Sequence, residues 1–197
     1  LVGGMLDCAG EFGARLVGGD LSASTGPLVV NVAILGEAAG APVLRSGARP
    51  GDAILVTGEL GGSRLGRHLR FRPRQDEALA LVAQFDIHAM IDISDGLARD
   101  LHHILEESGV GARLLAEAVP VSEDARRAAR LSGKSPLDHA LADGEDYELL
   151  FTLGEEDARR LLAAPPFAVR VSRIGQITAS DAVLELPDGS TIPLEPL

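Results

Sequence analysis

One cysteine, Cys8, and one lysine, Lys134, are all that the chain supplies of either residue. A single thiol excludes an intrachain disulfide and a multi-cysteine zinc site. Its neighbours Leu6, Asp7 and Ala9 suggest a helical position, where a buried and inert thiol is expected. The lysine follows no glycine-rich loop, and Gly-x-x-x-x-Gly-Lys-Ser/Thr occurs nowhere, which excludes a Walker A phosphate site. Long apolar runs are missing too, none approaching the ~20 residues that a membrane helix needs. The densest stretch, Leu28 to Leu35, is interrupted by Asn31 and reads as a buried strand. Basic charge is also scarce, with 18 Lys and Arg against 29 Asp and Glu for a net −11. No basic patch is visible, so a nucleic-acid partner is not expected. With so many carboxylates, a phosphorylated ligand would need a divalent cation as its bridge.

What remains is a globular composition, 46% hydrophobic over 197 residues, enough for one domain or one and a part. No signal peptide opens the chain, which points to the cytoplasm. It starts at Leu1, in mid-helix by pattern, as a piece of a longer protein would. Met5, Leu6 and Phe12 mark that helix, Ala14 to Val17 a short strand closed by Gly18-Gly19-Asp20, and Leu28 to Leu35 a second strand. Gly36 to Pro50 is a connector, and a domain boundary is placed there, giving domains 1–44 and 45–197. Further on, strands are expected at Ala53 to Thr57 and His88 to Ile91, with a helix at Gln75 to Phe85 facing inward through Leu79, Val82 and Ala83. A second helix starts at Leu97 with Leu101, Ile104 and Leu105 on one stripe, and ends at Ser108-Gly109. Ala112 to Leu115 reads as a strand, and Ser122 and Ser135-Pro136 as N-caps of two short helices. The chain closes with a strand at Glu148 to Leu153, a helix at Glu155 to Ala163, and strands at Val169 to Ile174 and Ala182 to Leu186. The last turns at Asp188-Gly189 into a hairpin with Thr191 to Leu194. Interleaved strands and helices ending in a hairpin give an α/β fold with a mixed sheet layered with helices.

Asp92-Ile93-Ser94-Asp95-Gly96-Leu97 is the strongest chemical feature. In extended backbone Asp92 and Ser94 project to one side while Ile93 points into the core. Asp95 and Gly96 then turn the chain into a helix whose N-terminal N–H groups favour anions. Hard oxygens grouped in this way suit Mg²⁺; the competing reading is that Ser94 or Asp95 merely caps the helix. Gly18-Gly19-Asp20 repeats the theme, with an ordinary turn as its alternative. Arg45 opens a loop of small residues and could fork onto a phosphate, or stand solvated. Arg49-Pro50-Gly51-Asp52 reads as turn chemistry. Asp143-Gly144-Glu145-Asp146-Tyr147-Glu148 carries four acids, of which Glu145 could reach a cleft from the Gly144 turn; a solvated loop is the plainer reading. The five histidines show no zinc-helix spacing, and no Gly-x-Ser-x-Gly elbow supports a serine hydrolase.

Four segments in one order, Gly-Gly-Asp at Gly18, Arg-Ser-Gly-Ala at Arg45, Asp-Ile-Ser-Asp-Gly-Leu at Asp92 and Gly-Glu-Asp-Tyr-Glu-Leu at Gly144, resemble the thiamine-monophosphate kinase family. That family lies in the aminoimidazole ribonucleotide synthetase superfamily. The resemblance implies a synthetase-like C-terminal domain with a remnant of the N-terminal domain, truncated at both ends, from a protein that is a homodimer at full length. It implies transfer of the γ-phosphoryl of ATP onto thiamine phosphate. Asp20, Asp92 and Asp95 would ligate Mg²⁺, Gly19, Asp20, Arg45 and Ser94 would contact ATP, and Glu145 would touch thiamine phosphate, with Asp92 and Asp95 carrying the catalysis. Leu60-Gly61-Gly62-Ser63 departs from the family, whose members often place an aspartate there. The rival readings are a sibling ATP-dependent synthetase and a binding module of the same fold without turnover.

Overall fold

The computed structural model describes residues 1–38 and 40–196 and divides into two compact units, residues 1–39 and 40–197. Ala39, within the expected connector, and the terminal Leu197 lie outside the described residues.

The first unit holds one helix, α1 (Val2–Glu11), with no residue buried. Cys8 is on this helix, as its neighbours suggested, but its thiol is exposed rather than buried. Neither expected strand forms: residues 14–17 and 28–35 have no ladder, and Leu28, Val29, Ile34 and Leu35 are each more than four-fifths exposed. Apolar, β-branched character favours extended backbone only when a neighbouring strand accepts its hydrogen bonds. No described residue of this unit provides such a strand.

The second unit is built on one seven-stranded sheet: β1 (Ala53–Thr57), β2 (Ile87–Asp92), β3 (Gly111–Leu115), β4 (Leu149–Leu153), β5 (Val171–Thr178), β6 (Ala182–Glu185) and β7 (Thr191–Pro193). Their spatial order is β2-β4-β1-β5-β3-β6-β7. All neighbours are antiparallel except β3 and β6, which run parallel, so the sheet is mixed as expected. The helices are α2 (Gln75–Gln84), α3 (Leu97–Ser108), α4 (Glu123–Ser132), α5 (Pro136–Ala142) and α6 (Glu155–Ala163).

Every residue of β1 and β4 is buried, as a strand covered on both faces requires. Ile54, Val56 and Leu150 face a core shared with Leu97, Leu101 and Ile104 of α3 and Leu141 of α5. Ala53, Leu55, Phe151 and Leu153 face a second core closed by Leu81 of α2 and Leu161 of α6. A register shift between Ile87 and Ala89 lets β2 serve both cores, Ile87 joining the second and Ala89 and Ile91 the first. Burying each such Leu or Ile contributes about 1.5–3 kcal/mol.

Local signals set the helix ends. Ser122 accepts the Ala125 N–H, and Ser135 forms a capping box with Asp138 ahead of Pro136. Gly109 ends α3 in the left-handed conformation. On α2 the expected face is reversed: Leu79 and Val82 are exposed and Leu81 is the buried residue.

Candidate functional site

The end of β2 and the stretch before β4 meet backbone to backbone. Ile93 N–H donates to Glu148 O, Tyr147 N–H to Ile93 O and Glu145 N–H to Ser94 O, each at 2.8 Å. This contact needs glycine twice. Gly144 has φ +68°, and a Cβ there would stand 2.6 Å from Ser94 O; Gly96 has φ +122° and lies against Leu141 and Ala142. Glu145 and Tyr147 also take positive φ, 56° and 51°, a strain of about 1–3 kcal/mol each that such bonds must hold in place. The two turns enclose a cleft of about 490 Å³ whose wall includes Ser94, Asp95, Glu145, Tyr147, Arg64 and Arg99.

Ser94, Asp95 and Glu145 are therefore brought together in one cleft. Asp92, at the exposed end of β2, and Arg45 do not line it. Arg45 is exposed on a segment that runs along the outer edge of β2, where Leu44 O accepts from Met90 N–H and Arg45 O from the Ser108 hydroxyl. Gly19 and Asp20 belong to the first unit. Asp20 is exposed and accepts from the Ser22 hydroxyl at 2.9 Å, and nothing within 4 Å crowds Gly19.

Asp100 was missed in the sequence. Its buried carboxylate accepts the N–H groups of Ser94, Asp95 and Gly96 at 2.9, 3.0 and 3.1 Å and so fixes the turn between β2 and α3. Burial pushes its pKa up, those three N–H groups pull it down, and the charge of Asp95 adds to the upward push. Ligand atoms of Asp95, Asp100 and His103 lie within 4.8 Å of one another. Asp100 is buried and takes all three donors on Oδ2, whereas the carboxylates of Asp92 and Asp95 are exposed.

The 143–148 stretch is the largest correction, since two of its four acids are buried rather than solvated. Asp146 accepts from Gly61 N–H, the Ser63 hydroxyl and Arg67, the last at 2.6 Å. Burial pushes its carboxyl up against the pull of those donors. Glu148, read as a residue that could face solvent, is 5% exposed, takes Arg74 through two 2.7 Å bonds and accepts the Thr57 hydroxyl. That bond to Glu148 raises the Arg74 pKa. Asp143 accepts Gly62 N–H at 2.9 Å, so Gly61 and Gly62 are bolted to the acidic loop by their backbone. Tyr147 stacks on Phe71 with ring centroids 4.0 Å apart.

His139, for which the sequence suggested no partner, joins Asp143 through Nδ1–H at 2.9 Å and the Ser132 hydroxyl through Nε2 at 2.7 Å. Ser132 ends α4 and also accepts Lys134 N–H, so this chain of bonds ties α4 to α5 and steadies Asp143. Among the described residues no helix is long and apolar enough to cross a membrane.

A family model described as AIR synthase related protein, C-terminal domain, matches residues 49–185. The thiamine-monophosphate kinase of Rhodopirellula baltica is 45% identical over 174 residues, covering 88% of this chain and 54% of that protein. Among solved structures, thiamine monophosphate kinase (ThiL) from Aquifex aeolicus is 33% identical over 77% of this chain and 54% of its own, with a TM-score of 0.63. AaThiL complexed with AMPPCP and TMP is 32% identical over 76% of this chain and 52% of its own, with a TM-score of 0.59. The chain spans about half the length of the curated relatives it matches.

Proposed function

The chain belongs to the family of AIR synthase related proteins with this C-terminal domain, and on that footing we propose that its protein is a kinase transferring the γ-phosphoryl of ATP to thiamine phosphate, yielding thiamine pyrophosphate and ADP. The observation that carries the reading is the meeting of Ser94 and Asp95, from the end of β2, with Glu145, from the approach to β4, in one cleft. The 45% identity to a thiamine-monophosphate kinase and the AMPPCP and TMP held by AaThiL support the choice of substrates.

Asp92 and Asp95 each offer hard, exposed carboxylate oxygens, the kind of donor that suits Mg²⁺, and Asp95 has Asp100 and His103 within 4.8 Å. Bound Mg²⁺ would neutralise phosphate oxygens that otherwise repel each other. In this reading Asp20, Asp92 and Asp95 are the metal ligands. Gly19, Asp20, Arg45 and Ser94 contact ATP, and Glu145 holds the thiamine phosphate. Asp100 acts behind them by fixing the turn that carries Ser94 and Asp95. The reaction is a direct in-line displacement: the acceptor phosphate oxygen bonds to the γ-phosphorus as the bond to ADP breaks. Residues 1–44 form the closing part of an N-terminal ATP- and metal-binding domain and 45–197 the C-terminal domain, in a protein that is dimeric and cytoplasmic.

Incubating the full-length protein with ATP, Mg²⁺ and thiamine phosphate is expected to release ADP and thiamine pyrophosphate in equal amounts, and excess EDTA to abolish both. Absence of thiamine pyrophosphate, or turnover that persists in EDTA, would overturn the assignment.

A further inference from the structure

We infer that Arg64 is the residue that recognises the acceptor's phosphate and so separates thiamine phosphate from unphosphorylated thiamine, an inference that rests on the kinase reading. The cleft wall carries three carboxylates, Asp95, Asp143 and Glu145, against two guanidinium groups, Arg64 and Arg99. Left unbalanced, that wall would repel a phosphate monoester. Asp143 is already engaged by His139 and Gly62 N–H. Arg99 stands 4.0 Å from Asp95, one helical turn away, and both are about half exposed. Arg64 differs in how it is held at its two ends.

Its backbone is fixed. Arg64 sits in a single 3₁₀ turn, Ser63–Leu65, in which Leu65 N–H donates to Gly62 O and Gly66 N–H to Ser63 O. The preceding Ser63 is buried and bonded to Asp146 and Arg67. Its side chain, by contrast, is 71% exposed, and its Nε lies 3.7 Å from Glu145 Oε1, beyond hydrogen-bond length. An exposed pair at that distance holds the guanidinium weakly. The group has five donors in a planar fork that matches phosphate oxygens. A phosphate entering beside Glu145 therefore meets a cation on a rigid base that can turn from the carboxylate to the stronger acceptor.

The test uses the full-length protein with Arg64→Ala and Arg64→Lys. Arg64→Ala is expected to raise KM for thiamine phosphate about 10-fold or more, the loss typical of a charge-assisted bond, with KM for ATP unchanged. Direct binding without ATP should show wild type preferring thiamine phosphate over thiamine, Arg64→Ala binding both alike, and Arg64→Lys regaining part of the preference. An unchanged melting temperature separates this role from a structural one. If wild type makes thiamine pyrophosphate and Arg64→Ala keeps its KM for thiamine phosphate within twofold, the role of Arg64 is overturned and the kinase reading stands. If wild type makes none, both are overturned.

Discussion

Asp92 and Asp95 stand exposed at the end of β2, whereas Asp146 and Glu148, on the stretch that packs against them, are almost fully buried. The functional group is the same on both sides. What differs is the company: the segment between Ser63 and Arg74 delivers Ser63, Arg67 and Arg74 to the buried pair, and among the described residues the exposed pair has only Arg99, 4.0 Å from Asp95, as an ion-pair partner. Partnered carboxylates hold the scaffold together, and the ones left without strong partners remain available to a cation. Acidity in the sequence therefore says little until the position of the arginines is known.

The comparison breaks first at Glu148. Replacing it by Ala leaves the Arg74 guanidinium and the Thr57 hydroxyl without their shared acceptor, and a loss of about 3–5 kcal/mol is expected from a broken buried pair. Urea unfolding measures it, and a change under about 1 kcal/mol would mean that the pair is no anchor. At Asp92 the opposite pattern is expected. Asp92→Asn in the full-length protein should cut phosphoryl transfer by at least ~10²-fold while the urea midpoint stays put. Near-normal turnover would remove Asp92 from the metal site.

The smallest effect is the most specific. Because burial raises the Asp146 pKa, the native state keeps this proton to higher pH than the unfolded chain, whose carboxyl titrates at about 3.9. The unfolded state then binds fewer protons, so the group's contribution is full below that value and is lost as pH rises through the folded pKa. Wild-type stability relative to Asp146→Asn should accordingly decline with rising pH across that window. A relative stability that instead climbs with pH would show that the Ser63, Gly61 and Arg67 contacts outweigh burial.

Elements specified by neighbours in sequence were legible there. The stripe of Leu97, Leu101, Ile104 and Leu105, with Gly109 behind it, marks α3, and the serine caps mark α4 and α5. Turn residues placed Ser94, Asp95 and Glu145 at element ends, where a cleft could gather them. Elements that depend on distant partners were not legible. Residues 14–17 and 28–35 look like strands because apolarity reveals nothing about whether a ladder is within reach. On α2 two apolar stripes overlap, and only contact with Phe151 and Leu161 in the second core selects Leu81 over Leu79. The burial of Asp146 and Glu148 rests on arginines 79 and 74 positions away in the chain.

Gly144 and Gly96 let two main chains touch where any methyl group would hold them apart. The spacing between the main chains at residues 94–95 and 145 is thus a property of peptide units. Rim side chains such as Arg64 and Arg99 can be exchanged without moving these two backbone segments relative to each other. A single added carbon at position 144 would shift that backbone spacing.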